Sequence, residues 1–443
     1  MCGIAGVIGL NGQAVESSLI EKMTRAVAHR GPDGEGVLVE SNVGLGHRRL
    51  AIVDLSADGA QPMTAGQGRH TVVFNGEIYN YLELRAELRA LGHVFATRSD
   101  TEVLLAAYDE WGPACVRRFN GMWAFALYDR ASRRLFCSRD RFGKKPFYYH
   151  RNSDWFAFGS EIRQLLPLLS ARRADQQMLL KFIIGNLAEG LEQSFFDGVR
   201  KLPGGHNLTL DLSSGEMRIE RYYELTFDRS LAGIDGGEAV QRFSVALADA
   251  VQLRLRADVP VGTCLSGGLD SSSIATLAAG LYRQEAQRPF AAITACSEQG
   301  DNDESDYAAQ VVEHNHMLWH KVRPGYDDFA AALPAVVEAQ EEPFPSPSIA
   351  MQYFVMRCAR EQGIPVLLDG QGGDEILLGY ERYFAAHYLS QARGHGWLRT
   401  LAAMRESSAN NAAMSARRVL GYFVYFNSAR VRWHNYRRRH SYL

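Results

Sequence analysis

Residues 259–279 constrain this chain more than any other stretch. Val259-Pro-Val-Gly-Thr-Cys-Leu is an apolar run of strand length, Ser266-Gly-Gly-Leu-Asp-Ser-Ser-Ser follows at once, and Ile274-Ala-Thr-Leu-Ala-Ala continues as good helix formers. Such a junction aims the free N–H groups of a helix start into a cleft, where they and the helix dipole attract an anion. Gly267 and Gly268 let the backbone come close to a phosphate without a Cβ in the way. Ser266, Ser271 and Ser272 add hydroxyl donors, and Asp270 can hold the magnesium ion that accompanies a polyphosphate. No Gly-Lys-Ser/Thr follows the glycines, so the loop is not of the Walker A type.

The string resembles the SGGxDS loop of the PP-loop ATP pyrophosphatases, which grip pyrophosphate while the rest of ATP adenylylates a substrate. At 443 residues the chain is long enough for two or more domains. An apolar share of 46% and a charged share of 22% are ordinary for a soluble globular protein. A net charge of −2 gives no reason to expect nucleic-acid or membrane-surface binding, and no apolar run is long enough to cross a bilayer. The N-terminus lacks the basic region of a signal peptide. Cys2, Cys115, Cys137, Cys264, Cys296 and Cys358 form no CxxC pair, which argues for a reducing cytoplasm rather than a disulfide framework or a zinc site.

Gly3 to Gly9 reads as a short buried strand preceded by Cys2. Loss of Met1 would give Cys2 both a thiol and an α-amine, and an α-amine titrating near pH 8 can act as base for its own side chain. Several strings follow in order. His29-Arg-Gly-Pro-Asp-Gly is a turn-rich basic loop, and Gly46-His-Arg-Arg-Leu-Ala-Ile-Val-Asp runs from cations into a strand. Val72-Val-Phe-Asn-Gly-Glu-Ile-Tyr-Asn and Arg98-Ser-Asp-Thr-Glu come next, and Asn75-Gly76 taken alone reads as a hairpin turn. Gly121–Asp129 and Leu135–Gly143 read as a strand pair, so a layered sheet domain is expected. Trp123, Phe125, Phe136, Phe142 and Phe147 are expected in the core, as are the thiols of Cys115 and Cys137.

These strings look like the glutaminase domain of class II glutamine amidotransferases, an N-terminal-nucleophile hydrolase fold of αββα type. The resemblance implies that Cys2 attacks the glutamine amide, with Asn75 and the backbone N–H of Gly76 as oxyanion hole. It also implies that Arg49, followed by Leu50, Ala51, Ile52 and Val53, pairs with the glutamine α-carboxylate. Asp100, with Glu77 nearby, would take the α-ammonium. A guanidinium suits a carboxylate because it can donate two parallel hydrogen bonds.

Residues 225–236 carry little periodic signal and read as a linker, and a helical pattern begins at Gly237. Pro289-Phe-Ala-Ala-Ile-Thr-Ala-Cys and Gly363-Ile-Pro-Val-Leu-Leu-Asp read as further strands, and a helix starts near Asp303. Strands alternating with helices predict a parallel sheet with ligands at the carboxyl ends of its strands. Both glycine-rich loops lie at such ends, and each carries an acid suited to magnesium, Asp270 and Asp374.

This half resembles the synthetase domain of glutamine-hydrolysing asparagine synthetases. The whole is therefore expected to be of α/β and α+β class with two domains, 2–215 and 235–443. The resemblance implies that Leu265 and Ala295 flank adenine, that Ser266, Gly267, Gly268, Leu269, Asp270, Ser271 and Ser272 hold pyrophosphate, and that Asp369 and Gly370 sit beside the adenylate. It implies ATP and Mg2+ as cofactors, and glutamine and a carboxylate acceptor, aspartate first, as partners; it leaves a homodimer open. Two departures bear on the acceptor. Family members commonly read Ser-Gly-Glu-Gly where this chain has Asp369-Gly-Gln-Gly, and Gln371 can hydrogen-bond but cannot act as a base. The sequence also ends at Leu443, without the family's later Arg-x-Pro-Phe-Leu-Asp string and lysine, so a thinner synthetase site is expected. His314, His316 and His320 are irregularly spaced and offer no zinc site, and the basic, aromatic tail from Arg430 to His440 reads as a solvated terminal helix.

Overall fold

Alternating apolar residues and short turns fold the first 221 residues into two antiparallel sheets. In the computed structural model, residues 1–188, 190–286, 288–297, 303–380, 383–410 and 416–439 are described. The strands in this part are β1 (Gly3–Gly9), β2 (Gly34–Glu40), β3 (Val43–Arg49), β4 (Met63–Ala65), β5 (His70–Ile78), β6 (Gly121–Asp129), β7 (Arg134–Arg139), β8 (Tyr148–Arg151), β9 (Trp155–Gly159), β10 (Val199–Lys201), β11 (His206–Asp211) and β12 (Met217–Arg221). Helices α1 (Ser17–Arg25), α2 (Tyr81–Ala90), α3 (Asp100–Trp111) and α4 (Gln176–Gly185) accompany them. One sheet runs β10-β8-β9-β1-β3-β2 and the other β12-β11-β7-β6-β5-β4.

Because side chains alternate across each strand, each sheet buries both faces. Ile4, Val43, Phe156 and Phe158 of the first sheet meet Val73, Ala124, Leu135 and Leu208 of the second. On the outer faces, Ile20 and Met23 of α1 cover the first sheet, while Leu84 and Leu88 of α2 and Val103 and Leu104 of α3 cover the second. This is the αββα arrangement expected. Trp123, Phe125, Phe136, Phe147, Cys115 and Cys137 are buried in it as expected, but Phe142 is not. It lies in the turn after β7, 67% exposed, with its ring edge-on to Tyr223. Its spacing matches that of a strand residue, but the strand ends at Arg139.

Contacts divide the chain into two compact units, 1–267 with 274–368 and 268–273 with 369–443. The first includes helix α5 (Gly236–Arg254), whose start agrees with the sequence pattern, and a four-stranded parallel sheet. Its strands are β13 (Val261–Cys264), β14 (Ala291–Ala295), β15 (Leu318–Val322) and β16 (Val366–Leu368), in the order β15-β14-β13-β16. Strand β15 was not expected, since Leu318-Trp-His-Lys-Val offers neither alternation nor an apolar run. Helix α6 (Leu269–Ala286), with α7 (Ser305–Asn315) and α5, packs on one face, and α9 (Ser348–Glu361), which follows α8 (Tyr326–Gln340), packs on the other. Strand β13 has neighbours reached in opposite directions, so its carboxyl end is the switch point at which such sheets bind ligands.

The second unit comprises the first turn of α6 and the short helix α10 (Gly373–Leu377), followed by α11 (Tyr383–His395), α12 (Trp397–Asn410), α13 (Ala416–Asn427) and α14 (Ala429–Arg439). Tyr388 and Val419 centre a small core, with Phe384, Met404 and Phe423 against it. The tail from Arg430 is helical through Arg439, and His440 lies outside the described residues.

Candidate active sites

The antiparallel register of β1 and β3 pairs Gly3 with Arg48, which brings the residue before β1 to the chain leaving β3. The Cys2 thiol therefore meets Leu50, whose N–H donates to Sγ at 3.4 Å and whose carbonyl oxygen lies 3.5 Å away. The Cys2 carbonyl accepts from Arg30 Nε at 2.9 Å. Burial pushes the thiol's pKa up, and the Leu50 N–H opposes this. The amine of Met1 beside it is pushed the other way, to about 5, chiefly by burial.

Asn75 and Gly76 are not in a turn. They lie inside β5 and pair with Ala124 and Trp123 of β6. Asn75 is buried, and its Nδ2 has no hydrogen-bond partner among the described residues. An amide donor left unpaired in this way costs stability unless a ligand accepts from it. Gly76 has no room for a Cβ, since the Met122 carbonyl and the Phe74 ring occupy that space.

Cys2, Arg49, Asn75, Gly76, Glu77 and Asp100 all border one cavity of about 810 Å³. Leu50, Ala51, Ile52 and Val53 form a further stretch of its wall. The Arg49 guanidinium is held by the carbonyls of Asp54 and Ser56, at 2.6 Å for the latter. The Asp100 carboxylate accepts from the Ile78 N–H at 2.9 Å, yet burial raises its pKa to about 6. Burial raises Glu77 further, to about 7, with Lys145 opposing and Asp100 adding to the rise.

Lys145 is a cavity residue that sequence reasoning missed. It is buried, and burial lowers its pKa, with Glu77 the foremost charge opposing. Its signal was the Gly143-Lys-Lys-Pro string, which has no periodic partner to mark it. Beyond the six-residue cluster the cavity continues along Val259, Pro260, Met356 and Ala359 to Leu367, against the start of β13, α9 and β16.

At the carboxyl end of β13, the Leu265 N–H donates to Ile293 O at 2.9 Å, which sets Leu265 against β14, the strand that Ala295 ends. Thr263 Oγ1 donates to Leu368 O at 3.1 Å. After Ser266 comes Gly267, with φ +97° and no room for a Cβ beside the Glu304 carbonyl, so only glycine fits.

In the second unit, Gly268 precedes the first turn of α6, where the Ser271 hydroxyl donates to Gly268 O at 3.1 Å. The Ser272 hydroxyl is buried with no partner among the described residues. Gly370 packs on the Ser271 backbone and Gly373 on the Asp270 carboxylate, neither with space for a side chain, so residues 370–373 lie against the first turn of α6. Leu269 is exposed. Burial raises the Asp270 pKa, and Asp374 and Glu375 raise it further. The Asp369 carboxylate accepts from the Gln371 N–H at 3.3 Å. A cluster of carboxylates that repel one another suits a divalent cation, although no group of three or more His, Cys, Asp or Glu in metal-holding geometry occurs among the described residues. No helix among the described residues is long and apolar enough to cross a membrane.

Comparison with known proteins matches both halves. The sequence profile of a glutamine amidotransferase domain fits residues 1–223, and that of asparagine synthase fits residues 242–441. A Methanocaldococcus jannaschii protein assigned by name to the glutamine-hydrolysing asparagine synthetases is 35% identical over 406 residues, covering 86% of this chain and 76% of that one. Asparagine synthetase 3 of Bacillus subtilis, also named as glutamine-hydrolysing, is 34% identical over 415 residues, covering 90% and 66%. Amidase chry2 of Gibberella zeae is 30% identical over 425 residues, covering 90% and 62%. The chain thus spans between 62% and 76% of the length of these relatives.

Proposed function

Because the chain belongs to the family of glutamine-hydrolysing asparagine synthetases, we propose that it transfers the amide nitrogen of glutamine to a carboxylate activated by ATP, with aspartate as acceptor and asparagine, AMP and pyrophosphate as products. The observation that carries the reading is the gathering of Cys2, Arg49, Asn75, Glu77 and Asp100 around one cavity. In this proposal residues 2–215 hydrolyse glutamine and residues 235–443 use ATP.

With Met1 removed, the Cys2 α-amine takes the thiol proton and sulfur attacks the side-chain amide. Burial, which lowers the pKa of the Met1 amine to about 5, would likewise favour the unprotonated form of a Cys2 amine, the form that can accept a proton. Asn75 Nδ2 and the Gly76 N–H donate to the oxyanion, where one such donor is typically worth about 2.7–4 kcal/mol. Arg49 receives the α-carboxylate. Ammonia leaves as the thioester forms, and water then releases glutamate. A path closed to water between the two sites would keep the ammonia unprotonated until it meets the adenylate.

There Ser266 to Ser272 hold the phosphates, Leu265 and Ala295 flank adenine, and Gly370 lies beside the adenylate. Asp270 and Asp374 would hold Mg2+, which neutralises charge on the phosphates when bound. The acceptor carboxylate displaces pyrophosphate, and ammonia displaces AMP.

A screen of carboxylic acids for glutamine-dependent pyrophosphate release tests the reading. Aspartate is expected to support release, and a wild-type chain that releases none with any acid would end it. Asp369 and Gln371, and the likeness to a protein named as an amidase, favour a second reading with the same chemistry on a different carboxylate. Release with a sugar acid or other acid, and not with aspartate, would decide for it.

The raised carboxyls also set a pH dependence. Asp100 near 6 and Glu77 near 7 protonate at higher pH than ordinary carboxyls, so the counter-charge for the glutamine ammonium is lost early as pH falls. The kcat/KM for glutamine is expected to drop as pH passes down through 7 and then 6. A profile that stays flat to about pH 5, near ordinary carboxyl values, would remove both residues from that role.

A further inference from the structure

The segment 341–347, between α8 and α9, carries two acids that reach elements of the first 221 residues. Glu341 ends α8 in the left-handed region, φ +60°, a place normally given to glycine or asparagine. Its carboxylate accepts from the Ile162 N–H at 2.7 Å, the Arg163 N–H at 2.8 Å and Arg163 Nε at 2.8 Å. Arg163 Nε in turn lies 3.0 Å from Glu161 Oε2. Glu161 Oε1 accepts from Arg30 Nη1 at 2.9 Å, and Arg30 Nε donates to the Cys2 carbonyl at 2.9 Å.

Four alternating charges thus connect Glu341 to the backbone of the proposed nucleophile. The side chains of Arg30, Glu161 and Glu341 are 9%, 10% and 11% exposed and that of Arg163 is 24% exposed, so solvent screens the Arg30–Glu161 link least. A second set of bonds runs through the same segment. The Ser160 N–H donates to Ile4 O at 3.1 Å, Ser160 Oγ accepts from the Ile4 N–H at 3.0 Å, and Gln164 Nε2 donates to Ile4 O at 3.0 Å. Residues 160–164 therefore strap the start of β1, and Glu341 fastens the strap from the far side.

We propose that Glu341 is a positioning residue for Cys2, acting through Arg163, Glu161 and Arg30, so that glutamine hydrolysis runs at full rate only while the Glu341 segment is seated. The inference rests on the glutaminase reading given above. It ties the rate of ammonia release to a segment that leads directly into α9, whose Met356 and Ala359 wall the cavity. A shift of this segment would loosen the hold on the Cys2 carbonyl without touching the groups that bind glutamine.

Glu342 supplies the control. Its carboxylate accepts from the Phe195 N–H at 2.9 Å and the Tyr148 hydroxyl at 3.3 Å, and it pairs with Lys201 Nζ at 2.7 Å. It makes similar bonds to the same half of the chain but has no link in the series that ends at Cys2. In the full-length protein, Glu341→Gln is expected to lower kcat for glutamine hydrolysis about tenfold, with KM changed less than about twofold. Pyrophosphate release supported by added ammonium should stay at the wild-type level.

Glu342→Gln should lower Tm to a similar degree yet keep kcat. If Glu341→Gln does not fold, Arg163→Met cuts the charged series while leaving the backbone N–H groups of 162 and 163, and the same kcat loss is expected. Wild-type kcat in the Glu341 or Arg163 variant, or an equal loss in Glu342→Gln, would overturn the proposal. A wild-type chain that hydrolyses no glutamine would overturn the underlying reading and this inference with it.

Discussion

Replacing Cys2 by alanine is expected to bring glutamine hydrolysis down to background while synthesis from added ammonium continues. Loss of a nucleophile removes the covalent route altogether, and comparable knockouts cost on the order of 10⁴-fold or more in kcat. The surroundings of Cys2 explain why so much rests on one thiol and its base. Burial pushes the thiol's pKa up, so little thiolate is present before substrate binds, and the proton must pass to a neighbour during attack. The N-terminal amine is the neighbour proposed, held down near 5 where it stands on Met1. Intact mass should therefore show the active protein short of its initiator methionine. Glutamate release measured against time, with the alanine variant beside the wild type, gives the result directly. Saturable turnover in the variant would remove Cys2 from the mechanism.

The second large effect is expected at Asp270. Asparagine has nearly the same shape, so Asp270→Asn keeps the packing against Gly373 and removes only the charge. Burial, Asp374 and Glu375 all raise the Asp270 pKa, meaning that its ionised form is disfavoured where it stands. Without a cation, removing that charge relieves repulsion, so Tm should hold or rise. In the proposed complex with Mg2+ and ATP the same charge would be favourable, and its loss should cut pyrophosphate release about 10²-fold or more, the several kcal/mol such charge stabilisation supplies. Glutamine hydrolysis should be unaffected. Unchanged release in the variant would show that another group holds the metal.

What could be read from the sequence followed the range of the interactions. Strands β1, β6, β7, β13, β14 and β16 were legible because each is a run of apolar or alternating residues closed by glycine or a turn. Strand β15 was not, because its place at the edge of the parallel sheet leaves Leu318 exposed and Lys321 tolerated. Asn75-Gly76 carries the composition of a hairpin turn, and pairing along the whole of β5 overrides that local preference. The sequence motifs named residues that do share one cavity. They gave no hint of Lys145 in that wall, nor of the Arg30–Glu161 pair, whose members stand 131 residues apart. Such partners are brought together by sheet order, which no local pattern encodes.

Strand β5 holds Asn75 by nine consecutive pairings with β6, from His70–Asp129 to Ile78–Gly121, with no bulge to absorb an extra residue. One codon added or deleted within 70–78 would turn the Asn75 amide to the opposite face of the sheet and bring a neighbour's side chain into its place. Length changes in this gene should therefore survive in the loop between Arg130 and Arg133 and be purged from the strand, even where every hydrophobic residue is kept.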